Sequence, residues 1–293
     1  MNKWNMKYLI LVFVCNALIE GVYSQPTKPF VADRLGMPGG YQSMSAIDSG
    51  NIKIWYAMNA EDIHNTDTYY DWQCLEIGSQ LTKYYSFWVY TSDSLLYDWG
   101  KKKPNAGYGL NVMGLQGTSG GRWSEYLTSL FFKNPQTNTL KVYGAFPMWR
   151  GPRGNQYTEV LPVQEWTLQD ETTTISGYQC QKATCHFRGR DYEAWFALDI
   201  PINNGPWKFG GLPGLILKVY DTNRLYVFEC TKIRISRQKF PILMYDEKNY
   251  TSVVDRKKLL KLHHDIHINY PRAASILMST YPDEPPYHPL ELE

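Results

Sequence analysis

His263 and His267 stand four residues apart in a stretch rich in helix formers. On a helix that spacing puts both imidazoles on one face, where they could share a metal ion. Asp265 lies between them, but no Glu follows His263, so the metalloprotease arrangement is missing. Histidines also suit the last turns of a helix through its dipole, which gives the pair a purely structural explanation. Other chemistry is thinner. Cys185 and His186 are neighbours in a strand-like run and would point to opposite faces. Glu159, Glu165 and Asp170 are scattered, no Gly-x-Ser-x-Gly elbow occurs, and no cofactor motif accompanies them. Arg188 and Arg190 flank Gly189 at an expected hairpin tip, where a turn with exposed charges is the default and an anion clamp the alternative. Catalysis is not supported by these residue types.

Binding residues form two sets. Trp99, Trp149 and Trp207 sit beside Gly and Pro in loop-like contexts. Exposed there, they would offer flat apolar faces to a sugar ring or a peptide. Trp195, Phe196, Leu215 and Leu217 belong to strand-like runs and would line a tunnel for an apolar ligand, or else pack the core. Four cysteines follow the N-terminal region: Cys74, Cys180, Cys185 and Cys230. An even count in an exported chain predicts disulfides, with three connectivities open. A zinc site would need a second closely spaced pair to match Cys180 and Cys185.

The elements that must position these residues are mostly strands. Lys3 and Lys7 precede the apolar run 8–19, and small residues close it near Ser24. That is the layout of a secretory signal peptide over 1–24, with an irregular lead-in over 25–50 and a single β-rich domain over 51–293. The formal net charge of +2 argues against a nucleic-acid partner. No later run is long and apolar enough for a spanning helix. Aromatics are abundant, with 23 Tyr and 10 Trp, and favour strands. Alternation and turn residues predict strands at 51–58, 71–78, 83–90, 156–160, 172–178, 180–188, 191–198, 215–221 and 225–237. A hairpin joins 125–132 to 140–146. A helix begins at a Ser252 cap and is limited by Pro271. The fold class is therefore a curved antiparallel sheet, a sandwich or a half-barrel, with a helix near the C-terminus.

Residues 205–221, GPWKFGGLPGLILKVYD, combine four glycines and two prolines with a very apolar run. A phosphate loop would need a helix N-terminus and free N–H groups, whereas here a strand follows and Pro213 has no N–H. Gly211, Leu212, Pro213 and Gly214 instead predict a structural elbow, with Leu212–Leu215 as a type II turn and a positive φ at Gly214. The hexapeptide Gly211-Leu212-Pro213-Gly214-Leu215-Ile216 resembles the motif that names the GLPGLI family of exported bacterial proteins. Gly177-Tyr178-Gln179-Cys180, Ala194-Trp195-Phe196, Asp199-Ile200-Pro201 and the ending His288-Pro289-Leu290-Glu291-Leu292-Glu293 are similar to it as well, with His288 where Asn is commoner. The resemblance covers nearly all of the chain after residue 24. It implies an exported, periplasmic or outer-membrane-associated protein without an established reaction or cofactor. A binding, carrier or assembly role follows, with an apolar ligand or an outer-membrane protein as partner. Glycan or peptide binding and a metal-dependent enzyme at His263 and His267 are the alternatives.

Overall fold

The computed structural model describes residues 44–88, 90–91, 129–145, 154–245, 252–274 and 288–293. The expected signal peptide, Trp99, Trp149 and the side chain of His267 lie outside what is described.

Twelve strands form one open sheet, in the order β12-β6-β5-β4-β3-β2-β1-β11-β10-β9-β8-β7. In chain order they are β1 (Met44–Met58), β2 (Asp71–Gly78), β3 (Thr82–Ser86), β4 (Ser129–Asn134), β5 (Thr139–Ala145), β6 (Gly154–Val160), β7 (Thr167–Ile175), β8 (Tyr178–Phe187), β9 (Arg190–Ala197), β10 (Leu215–Asp221), β11 (Val227–Tyr245) and β12 (Ser252–Val253). Neighbours pair antiparallel except β12 with β6, a two-residue parallel contact. A helix, α1 (Arg256–Ala274), follows.

The chain builds this sheet from pairings between successive strands and from two pairings between distant ones, β1 with β11 and β6 with β12. Ser176-Gly177 and Arg188-Gly189 adopt positive φ at two tight turns, β7–β8 and β8–β9, as two-residue hairpin loops require. Long β11 closes the order by pairing with β1 from Met58↔Phe228 to Met44↔Tyr245. That pairing corrects the lead-in: residues 44–50 are strand, because β11 runs eight residues past its expected end and supplies their partner.

So wide a sheet must curl, and register shifts in β1 pairs and between Ile216 and Lys218 help it bend. The curl brings together strands that are not neighbours. Tyr56 of β1 donates its hydroxyl proton to the Ile216 carbonyl of β10 at 2.8 Å, across β11. Ser176 likewise reaches the Cys230 carbonyl at 2.9 Å. Residues of every strand from β1 to β11 and Leu259 of α1 share the main apolar cluster on the inner face. A smaller cluster, with Trp55, Cys74, Tyr85, Phe132 and Tyr143, covers the opposite face of β1–β5.

α1 starts later than expected. Ser252 pairs with Asn155 in the sheet, and Asp255 caps the helix instead, accepting from the Lys258 N–H at 2.8 Å. The helix also passes Pro271. Pro271 removes one main-chain bond and crowds the carbonyl four residues before it, and the helix ends three residues beyond it.

Between β9 and β10, residues 198–214 turn inward and fill the cup. Trp207, Phe209 and Leu212 are buried there, and Phe209 packs edge-on to Tyr192 with ring centroids 4.8 Å apart. Lys133 of β4 crosses the interior to donate to Asn204 Oδ1 at 2.8 Å and to the Phe209 carbonyl. Gln164 and Trp166 hold Gly210 from the other side, the indole N–H donating to its carbonyl at 2.7 Å. The Gly-rich stretch bends into β10 without the expected type II turn. Gly211 carries the positive φ, +85°, and Gly214 does not. Gly214 is glycine because the Ala197 carbonyl oxygen would lie 2.1 Å from any Cβ there.

The four cysteines are buried and unpaired, contrary to the disulfide expectation. Packing in the sheet supplies what a bridge was expected to supply: Cys180 and Cys185 belong to β8, Cys74 to β2 and Cys230 to β11, each at a core position. Burial pushes the Cys180 thiol up to about 11 and those of Cys185 and Cys230 to about 12.

Candidate functional site

Two groups of buried polar side chains occupy the inner face. The first lies where β1, β2 and β3 meet. Alternation in β2 sends Asp71, Gln73 and Leu75 inward, and Tyr84 and Ser86 of β3 face the same side. Tyr84 donates its hydroxyl proton to Gln73 Oε1, and the Gln73 amide reaches Met58 Sδ at 3.6 Å. Asp71 Oδ1 accepts from the Ser86 hydroxyl at 2.8 Å and from the Trp72 N–H at 2.9 Å. Asp71 Oδ2 is buried without a hydrogen-bond partner. Burial lifts the Asp71 carboxyl to about 7, against the lowering effect of bonds from Ser86, Gln73 and Trp72. A carboxyl so placed can accept or donate a hydrogen bond near neutral pH.

The shift has a testable sign. The folded value lies above the ordinary 3.8, so the folded chain binds the proton more tightly than the unfolded chain. That stabilisation is complete below pH 4 and is lost as pH rises through about 7. Asp71→Asn removes the titration. The variant's melting temperature, followed from pH 4 to 8, is expected to lack the decline that Asp71 imposes on the parent. Parallel curves would refute it.

The second group is ionic and joins distant parts of the chain. Lys208, from the filling loop, is fully buried. Its ammonium donates to Tyr157 Oη at 2.8 Å, Glu159 Oε1 at 3.2 Å and Glu291 Oε1. Arg188 binds Glu159 at 2.8 Å, and Arg256, at the start of α1, binds Glu291 at 2.7 Å. Three cations thus surround two carboxylates, a closed arrangement suited to holding chain segments together. Lys133 differs in having neutral oxygens as its bonding partners, and burial lowers it to about 7.

The residues singled out in the sequence are distributed otherwise. Phe196, Leu215 and Leu217 are completely buried in the main cluster, while Trp195 faces the other way and reaches Tyr220 Oη at 3.5 Å. Alternation separates Trp195 from Phe196, so the four do not line one wall. Trp207 is 3 % exposed, between Phe187 and Phe209, and is a core residue rather than a surface platform. His263 is buried against β5 at Gly144. No cluster of three or more metal-ligating side chains occurs among the described residues. Arg188 and Arg190 do not stand exposed at the hairpin tip, the default expectation there, but hold carboxylate or carbonyl oxygens of the chain itself.

Asp71, Lys208 and Glu291 escaped the sequence reading. Asp71 looked like an ordinary strand start. Lys208 carried one signal, a single charge inside Trp-Lys-Phe, but nothing local tells which carboxylate meets it.

Residues 155–259, from β6 to the first turn of α1, match the family described as N-glycanase peptide, N-terminal domain. The matched stretch contains the filling loop, Lys208, Glu159, Arg188 and Arg256. No curated protein matches the chain in sequence. Among solved structures, PNGF-II in space group P21 aligns with a TM-score of 0.43 and 16 % identity over 71 % of this chain and 31 % of that one. PNGF-II in space group C2 aligns with a TM-score of 0.44 and 15 % identity over 74 % and 33 %. The chain therefore spans about a third of the length of those proteins. Similarity at that level carries no activity across.

Proposed function

We propose that this is an exported cell-envelope protein of the GLPGLI type that acts by binding, with glycans attached to protein as its ligand class. The observation that carries the glycan reading is the match of residues 155–259 to a domain named for N-glycanases. The basic and apolar N-terminal 24 residues and the resemblance around Gly211–Ile216 support export. No helix among the described residues is long and apolar enough to cross a membrane, which agrees with the absence of an expected span. Binding is preferred to carriage of an apolar ligand because Phe196, Leu215 and Leu217 pack in one cluster with Trp207, Phe209 and Leu212 of the filling loop. The apolar interior is thereby used for folding.

The test is a binding assay of residues 25–293 against immobilised N-glycoproteins, before and after enzymatic removal of their glycans. Saturable, glycan-dependent binding without glycan release is expected. Equal retention on both surfaces would overturn the glycan reading, and released glycan would overturn the non-catalytic one. Fractionation of cells producing the full chain should place it in the envelope; recovery in the cytoplasm would overturn export.

A further inference from the structure

Residues 288–293 lie against the rest of the fold as a peptide lies in a receptor groove. Three successive main-chain carbonyls are recognised. That of His288 accepts from the Tyr226 hydroxyl, and those of Pro289 and Leu290 accept from the Arg190 guanidinium. The Leu292 N–H donates to the Arg188 carbonyl at 3.0 Å, in the manner of an added strand. Two successive side chains are enclosed, and the two after them face solvent. Leu290 enters the main apolar cluster at 1 % exposure, Glu291 enters the cation group, and Leu292 stays 56 % exposed. The wall is shaped for this segment: at Gly189 a Cβ would meet Leu292 Cβ at 2.8 Å. Its charge is also incomplete without the segment, since Lys208, Arg188 and Arg256 would then share Glu159 alone.

Main-chain recognition supplies affinity, and the enclosed Leu290 and Glu291 supply specificity, the two requirements of peptide binding in an extended conformation. We propose that the groove between the β8–β9 turn, Tyr226, Lys208 and Arg256 is a recognition site for an extended acidic peptide carrying a buried leucine followed by a glutamate. The chain's own residues 288–293 are its resident occupant. A partner polypeptide presenting the same pattern would enter when the resident segment leaves. This site is independent of the glycan reading.

The experiment uses the full chain with Glu291→Ala, which weakens the occupant and leaves every groove residue intact. The probe is a labelled synthetic peptide with the sequence of residues 288–293. The intact chain should bind it poorly, because a tethered segment competes at an effective concentration on the order of millimolar. The variant should bind at least about tenfold more tightly, since its occupant has lost charge-assisted bonds, and its melting temperature should rise with added peptide. The same peptide with alanine in place of its first glutamate should do neither. If Glu291→Ala leaves the chain unfolded, the peptide should restore its folded circular dichroism. A folded variant that ignores the peptide, an unfolded one that is not rescued, or equal binding of both peptides would overturn the proposal.

Discussion

Gly214→Val is expected to abolish the folded state, and Gly214→Ala to be nearly as damaging. A Cβ at this position would lie 2.1 Å from the Ala197 oxygen and 2.7 Å from its carbonyl carbon. Both are main-chain atoms of β9, which pairs with β10 from Leu215↔Ala197 onward, so relief requires parting two central strands. The loop is held from the other side as well, Leu215 N–H donating to the Ile200 carbonyl at 2.9 Å and Ile216 N–H to that of Asn204 at 3.0 Å. The expected loss exceeds about 4 kcal/mol, in the range reserved for core disruption. Gly211→Ala is the control. Its φ of +85° is uncomfortable for alanine, but its Cβ would meet nothing closer than 3.6 Å, so the cost should be about 1–2 kcal/mol. Urea denaturation of the three variants separates the two causes. Equal, small losses would show that close approach to Ala197 does not govern the position.

Lys208→Met should cost about 3–5 kcal/mol, the usual penalty for removing one member of a buried ion group. The side chain of Lys208 is 0 % exposed and that of Glu291 5 %. Deleting the ammonium leaves both carboxylates with arginines alone and leaves the Tyr157 hydroxyl oxygen without its donor. The partner side tests the attribution. Combining Lys208→Met with Glu291→Leu should lose clearly less than the sum of the two single changes, because the second removes a charge the first has stranded. Additive losses measured by urea denaturation would place the two residues in separate roles. The consequence reaches the proposed peptide groove, since Lys208 joins the filling loop to residue 291 and hence to the occupant.

Local pattern carried most of the sheet. The spans 71–78 and 215–221 coincide with β2 and β10, and the Asn134–Asn138 turn joins β4 to β5 as expected. These elements are decided by alternation and turn residues, which act within ten residues of one another. Errors arose wherever a distant partner decided the outcome. Residues 44–50 are strand because β11 lies beside them, Ser252 is strand because β6 does, and the cap therefore moves to Asp255. Gly214 was recognised as indispensable for the wrong reason. Pro-Gly chemistry describes a turn, whereas the contact that excludes a side chain comes from Ala197, seventeen residues earlier.

The functional residues divide along the same line. The hairpin placed Arg188 and Arg190 locally, with exposed charges as the default expectation, and Trp207 could not be assigned to core or surface. A tryptophan just after a Gly-Pro pair is compatible with either until the fold shows what covers it. By itself, then, the sequence determined a mostly antiparallel β protein with a helix near the C-terminus. Only the tertiary structure decided that residues 198–214 fill a curled sheet, that the cysteines are buried as free thiols, and that Lys208, Glu159 and Glu291 meet. Periodicity records which way a side chain points, but the partner of a buried charge is chosen by how the sheet curls, and no short stretch of residues encodes that.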